Sequence, residues 1–432
     1  METQKQVTLI ENEKVRTTEI TKVAFGAGMG NLIEWFDYAS YGYLATIIAN
    51  VFFAPGNERA ALLGTFGVFA ISFIARPIGG IVWGHYGDKL GRKRILTLTI
   101  IMMSLSTFAI GFIPSYTTIG MLSPLLLLLC RLVQGFSASG EYAGASLFIA
   151  EYAPRKRRGL LVSIVPASTA AGLLLGALTS AGLEFSMAKD ALHSWGWRIP
   201  FLVAGPLGLI ALYLRLRLED TPVFKDLDHE KPQDPVFISI RQNWIKILVA
   251  FGVICLNAVG FYTILSYMPT YLENELGFDN VKSILSTIAS LGTYVIFLPL
   301  IGSLADRVGR KPVLIGASIL FILVSYPAFL LLNFGGIYAV LAQVLLGAIL
   351  AGNDGVLATF LSEMFPASVR YTCFGLSFNL GNAIFGGTAP FIATFLILQT
   401  SNKFAPAFYL MVAAFIAFIA LLKTKETRNN SL

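Results

Sequence analysis

The stretch Gly84-His85-Tyr86-Gly87-Asp88-Lys89-Leu90-Gly91-Arg92-Lys93-Arg94 returns as Gly302-Ser303-Leu304-Ala305-Asp306-Arg307-Val308-Gly309-Arg310-Lys311-Pro312. The offset is 218 residues in a chain of 432, about half its length. Each copy lies between two long apolar runs, so in both halves a short, glycine-rich, mostly basic turn joins two spanning helices. That is the pattern of a duplicated membrane bundle. Gly84, Gly87 and Gly91 permit tight turning and close backbone approach, while Arg92, Lys93 and Arg94 hold the connection on the cytoplasmic side. Asp88 either accepts hydrogen bonds from a neighbouring helix terminus or pairs with Arg92. In both cases it forms, with Asp306 and Arg310 of the second copy, a latch that opens when the halves move.

Composition agrees with a bilayer. Hydrophobic residues make up 55% of the chain and charged residues 13%, and the mean hydropathy is +0.70; a water-soluble domain carries about a quarter charged residues. Cys130, Cys255 and Cys373 lie in apolar surroundings and read as small core residues. The histidines, His85, His193 and His229, are scattered too widely for a metal cluster. The net charge of +7 does not point to nucleic acid, because the bases crowd short connections as membrane topology requires. No nucleophile elbow, triad context or phosphate-binding loop argues for an enzyme, and no cofactor is implied.

Twelve runs are long enough to cross about 30 Å of hydrocarbon. They fall near 23–52, 61–83, 95–113, 121–150, 160–183 and 197–218, then near 245–272, 283–304, 313–333, 337–361, 371–398 and 404–422. Of the 32 lysines and arginines, 25 lie in the termini and the connections that share their side, five lie in the opposite connections, and Arg76 and Arg131 fall inside spans. This bias places both termini in the cytoplasm. Residues 1–22 read as a polar tail without a signal peptide, and 423–432 as a short polar tail. The helix-breaking stretches of 219–244 form a cytoplasmic linker between two bundles, 23–218 and 245–422. Glycines and prolines inside spans, including Gly172, Gly176, Pro166 and Pro390, permit close crossing and kinking.

Glu34 and Asp37 stand three apart on one face of the first span. Asp37 lies about 22 Å beyond Lys22 at 1.5 Å per residue, close to mid-membrane. A carboxylate there is paired, protonated or in a water-filled cavity. Its partner is Arg131 of the fourth span, which runs the opposite way and reaches the same depth. Glu141 lies some 15 Å closer to the cytoplasm on that helix. Glu34, Asp37, Arg131 and Glu141 thus set three carboxylates around one guanidinium, so that one carboxylate exchanges a proton; the alternative is a static network fixing helix packing, with Glu141 at a cytoplasmic gate. Asp354 either faces the cavity or caps an interrupted helix at Gly352-Asn353-Asp354-Gly355. Trp35, Tyr38 and Tyr41 of the first span, with Tyr262 and Tyr267 of the seventh, offer ring faces to a cationic ligand.

The paired loops resemble the signature loop of the major facilitator superfamily. Within it, Gly30-Asn31-Leu32-Ile33-Glu34-Trp35-Phe36-Asp37-Tyr38, Arg76-Pro77-Ile78-Gly79-Gly80, Gly135-Phe136-Ser137-Ala138-Ser139-Gly140-Glu141-Tyr142 and Trp195-Gly196-Trp197-Arg198-Ile199-Pro200-Phe201 resemble the metabolite:proton symporter family over nearly the whole chain. Ile113-Pro114-Ser115-Tyr116, Leu212-Tyr213-Leu214-Arg215 and Ala405-Pro406-Ala407-Phe408-Tyr409 are most similar to its proline/betaine carriers. The resemblance implies an all-α integral membrane protein of the cell membrane with the major facilitator fold, twelve transmembrane helices in two pseudo-symmetric six-helix bundles, acting as a monomer. It implies proton-coupled import of a zwitterion such as proline or glycine betaine by alternating access, with Glu34, Asp37, Arg131 and Glu141 coupling protons. Asp37, Trp35, Tyr38, Tyr41, Arg131, Tyr262, Tyr267 and Asp354 are the expected substrate contacts. The competing reading is proton-coupled import of a di- or tricarboxylate such as 2-oxoglutarate or citrate. That substrate wants a second fixed base, and spans seven to twelve hold none in their interiors.

Overall fold

The computed structural model describes residues 2–56, 58–217, 236–430 and 432. Twelve principal helices follow one another: α1 (Glu2–Tyr43), α2 (Glu58–Leu90), α3 (Arg92–Ile110), α4 (Leu122–Tyr152), α5 (Ile164–Ser186), α6 (Ile199–Leu216), α7 (Val236–Phe261), α8 (Asn280–Val308), α9 (Arg310–Asn333), α10 (Gly336–Met364), α11 (Arg370–Gly381) and α12 (Ala405–Leu422). Short pieces extend four of them. Ala45–Phe52 continues α1, and Arg158–Val162 leads into α5. Past a π-turn at Tyr262–Tyr267, α7 continues as Met268–Leu276; past another at Asn382–Gly386, α11 continues as Ala389–Thr400.

Among the described residues, eleven helices are long and apolar enough to cross a membrane, and α1, with Glu34 and Asp37 in its apolar run, makes the twelfth. The protein is a multi-pass membrane protein. Its packing shows the duplication directly. Helix α1 packs on α5, α2 on α4, α3 on α4 and α6, and α1 on α6; six helices later α7 packs on α11, α8 on α10, α9 on α10 and α12, and α7 on α12. Across the seam, α2 meets α11 and α8 meets α5, the two crossings that one pseudo-twofold axis relates.

The repeated stretch is not the turn expected from its glycines. Gly84 and Gly87 are helical, so α2 runs on to Leu90 and only Gly91 breaks the chain, at φ 102°. Gly309 does the same between α8 and α9, at φ 120°. Both angles lie where a side chain is strained, so glycine is required there. Gly84 and Gly87 instead open space for α11: a Cβ on Gly84 would lie 2.6 Å from Thr372 Cα, and one on Gly87 would strike the Tyr371 ring. Pro166 and Pro390 sit in the first turns of the segments that resume after breaks inside the spans Arg155–Ser186 and Ala367–Thr400, where a missing N–H costs nothing.

The expected linker also shifts. Residues 219–235, and His229 with them, lie outside the described residues, whereas 236–244 already belong to α7. Arg215, near the end of the first bundle, is buried in the last turn of α6.

Candidate functional site

The site is built on one stripe of α1. Glu34, Asp37, Tyr38 and Tyr41 recur at intervals of three, one and three, so helical geometry puts all four side chains on one face, where each is buried. Gly172 of α5 brings the opposite side of α1 within backbone contact near Leu32 and Phe36. That packing presses the charged stripe toward α2 and α4.

Three carboxylates find three separate arginines, not one shared guanidinium. Arg131 Nη1 donates to Asp37 Oδ2 at 2.6 Å, the expected pair. Arg76 Nη2 of α2 donates to Glu34 Oε1 at 3.0 Å. Glu141 bonds to neither of these arginines. It takes Arg215 of α6, a close contact, and the Thr99 hydroxyl at 3.0 Å, while Arg215 also donates to Gly26 O and Ala27 O, each at 3.3 Å. Arg215 therefore clamps α6 to α1, α3 and α4 inside one half, which corrects the grouping of Glu141 with Asp37 around one guanidinium. Buried charge tolerates such positions only with a partner, because the desolvation of a single ion costs several kcal/mol.

Sequence reasoning missed the partner role of Arg76, although depth carries the signal. Glu34 lies twelve residues beyond Lys22 and Arg76 twelve residues before Asp88. Both are thus about 18 Å in from the cytoplasmic side.

Aromatic rings enclose the two outer pairs. The Arg76 guanidinium carbon lies 4.9 Å from the Tyr38 ring, 4.7 Å from Phe73 and 6.0 Å from Trp35; that of Arg131 lies 3.8 Å above Tyr41. Tyr41 is fixed by its hydroxyl, which donates to Thr65 O at 2.9 Å. The second half closes the box: Phe261 packs on Trp35 at 5.1 Å and Tyr262 on Phe73 at 6.0 Å between ring centroids. Glu34 Oε2, the Tyr262 hydroxyl, and Nε and Nη2 of Arg131 are buried without hydrogen-bond partners among the described residues. Such groups are equipped to bind a small polar molecule.

Two expected contacts lie elsewhere. Tyr267 accepts a hydrogen bond from Thr394 at 3.0 Å and packs near Tyr271, on the far side of the π-turn from Tyr262. Asp354 caps nothing, since α10 runs unbroken through Gly352–Gly355. Its carboxylate takes Tyr294 OH at 2.6 Å, Asn257 Nδ2 at 2.7 Å and Asn353 Nδ2 at 2.9 Å. It is thus held in the second half, one ring behind the box, because Tyr294 packs on Phe261 at 6.4 Å.

The repeated stretches do form latches across the seam. Asp88 accepts from the backbone N–H of Tyr371 at 3.1 Å and of Thr372 at 2.9 Å, and from the Thr372 hydroxyl at 2.8 Å, at the start of α11. Asp306 accepts from Gly159 N at 2.8 Å and Leu160 N at 2.9 Å, at the start of the segment leading into α5. A carboxylate at a helix N-terminus meets unpaired N–H donors and the positive end of the helix dipole. Arg92 and Arg310 lie 3.4 Å and 2.9 Å from these carboxylates.

Glu151 extends the first network, reaching Arg92 and Arg370, and Glu363 the second, reaching Arg158 and Arg310. Glu151, Arg158, Glu363 and Arg370 were not identified from sequence, yet Glu151-x-x-Pro154-x-x-x-Arg158 and Glu363-x-x-Pro366-x-x-x-Arg370 repeat one motif at an offset of 212. The C-terminal segment joins in: Glu426 accepts from the N–H of Arg310 and Lys311, and Thr427 donates to Glu363. With both latches made, the halves are closed on this face.

Known proteins place the chain. The family model described as Major Facilitator Superfamily matches residues 29–293. The proline/betaine transporter of Salmonella typhimurium is 39% identical over 99% of this chain and 86% of that protein. The glycine betaine/proline/ectoine/pipecolic acid transporter of Dickeya dadantii is 38% identical over 99% and 86%. The solved structure of the proton:xylose symporter XylE bound to 6-bromo-6-deoxy-D-glucose superposes with a TM-score of 0.81 at 21% identity, covering 96% of this chain and 98% of that one. A duplicated twelve-helix bundle, a closed pair of latches and relatives matched nearly end to end lead to one conclusion: the chain belongs to the major facilitator superfamily, a family of transporters.

Proposed function

We propose that the chain is a proton-coupled symporter importing a small zwitterion such as proline or glycine betaine by alternating access. The observation that carries this reading is the buried Asp37–Arg131 pair inside a ring-lined box whose walls come from both halves. The names of the relatives matched over nearly the full chain support the substrate class.

Each residue then has a task. A proton arriving from outside neutralises Asp37 or Glu34 and loosens its arginine. Arg131, with Nε and Nη2 unpartnered, offers two further donors to the substrate carboxylate, while the cationic end lies against Trp35, Tyr38 and Tyr262. Charge favours this class over a di- or tricarboxylate. Arg76 and Arg131 are balanced by Glu34 and Asp37, and Asp354 behind the box adds a single negative charge, so among the described residues no base is free there to hold a second carboxylate. With the substrate bound and the charges matched, the bundles 23–218 and 245–422 rock about the box, breaking the latches at Asp88 and Asp306. Both halves of the box lie in one chain, so the working unit is the monomer. The clustered bases put the termini and the latched face in the cytoplasm.

Purified protein in liposomes under an inward proton gradient tests the reading. Proline or glycine betaine is expected to accumulate, and a protonophore to abolish the gain. Accumulation of 2-oxoglutarate or citrate instead, or uptake indifferent to the gradient, overturns it.

A further inference from the structure

Among the described residues, eight carboxylates are buried: Glu34, Asp37, Asp88, Glu141, Glu151, Asp306, Asp354 and Glu363. Seven lie within ion-pair distance of an arginine. Asp354 is the exception. Its neighbours are the Asn257 amide from α7, the Asn353 amide beside it and the Tyr294 hydroxyl from α8. A further titratable group within electrostatic reach is Tyr142 of α4, which comes from the opposite half and stacks on Phe378 of α11 at 4.1 Å.

A carboxylate in a membrane interior with no cation keeps the part of its desolvation cost that neutral donors do not offset, and gaining a proton removes it. The partners also suit both states. Amide N–H groups hold Oδ1, whereas Oδ2 faces only the Tyr294 hydroxyl, a rotor that donates to a carboxylate and turns to accept from a carboxylic acid. We infer that Asp354 is a proton-binding site in the second half, separate from the Asp37–Arg131 pair and taking its proton on Oδ2. Its place explains how the charge reaches the substrate and the seam. Tyr294 packs on Phe261, which packs on Trp35 of the box, and Tyr142 stands across the interface between halves. Protonation there removes the single uncompensated charge behind the box before the halves rock.

The transport arm of the test rests on the symporter reading; the spectroscopic arm does not. In infrared difference spectra between acid and alkaline pH, the wild-type protein is expected to show a carboxylic C=O band that shifts in heavy water. Asp354→Asn should remove that band, and Asp37→Asn should leave it. Tyr294→Phe takes one donor from the anion and should raise its midpoint by about one pH unit. In liposomes, Asp354→Asn should keep exchange of labelled for unlabelled proline while losing at least tenfold in gradient-driven accumulation. An unchanged band in Asp354→Asn overturns the site even if the wild type transports nothing, and unchanged accumulation with an unchanged pH profile overturns its coupling role. Because Tyr294→Phe keeps the carboxylate, its midpoint decides the matter should Asp354→Asn fail to fold.

Discussion

Asp88→Asn tests the latch most sharply, because the change is nearly isosteric and its partners are known. The carboxylate holds two backbone N–H groups and one hydroxyl of α11 across the seam, and it pairs with Arg92. Hydrogen bonds to a charged acceptor contribute about 1.5–3 kcal/mol each, against about 0.5–1.5 for neutral ones. The amide keeps one acceptor oxygen and turns an NH2 group toward the other N–H, so at least one bond is lost and the rest weaken. Opening lets water replace these partners, which limits the net loss from the closed state to roughly 2–4 kcal/mol. That range is a shift of about 30- to 900-fold toward the cytoplasm-open form. Spin labels at the exposed positions Lys156 and Arg307, one on each half, report it as a distance distribution by double electron–electron resonance. The wild type should give one short population, Asp88→Asn a dominant long one, and Asp306→Asn a shift in the same direction. A folded Asp88→Asn protein with the wild-type distribution would refute the latch.

Gly84→Ala should open the same face by a different route, since its Cβ meets the Thr372 backbone at 2.6 Å; the same label pair checks it, with uptake falling tenfold or more. Asp37→Asn leaves Arg131 a buried, unpaired cation, a destabilisation of about 3–5 kcal/mol read in thermal unfolding, and abolishes driven uptake. The double change Asp37→Asn with Arg131→Gln should recover stability but not uptake. Tyr262→Ala should weaken glycine betaine binding by roughly 2- to 30-fold, the value of about 0.5–2 kcal/mol for one ring face. Tyr267→Ala should leave binding unchanged in the same calorimetric titration, because its hydroxyl is engaged by Thr394 outside the box.

Much of this molecule follows from one-dimensional quantities. A chain with 55% hydrophobic residues and twelve long apolar runs must satisfy its backbone within helices, and a repeat at half-length makes two related bundles. Depth is also linear: each residue advances a helix by about 1.5 Å, so counting alone brings Asp37 level with Arg131. What counting cannot supply is the azimuth at which helices meet. Helices that are apolar nearly all round carry little record of which face meets which neighbour. Packing therefore decided that Arg76 serves Glu34, that Arg215 turns inward to Glu141, and that Tyr267 meets Thr394 while Phe73 and Phe261 complete the box. Packing also gave Asp88 its partners, the N–H groups of residues 371 and 372. Those donors belong to the backbone, which every residue but proline shares, so no side chain announces them; only bringing α11 against α2 points them at a carboxylate.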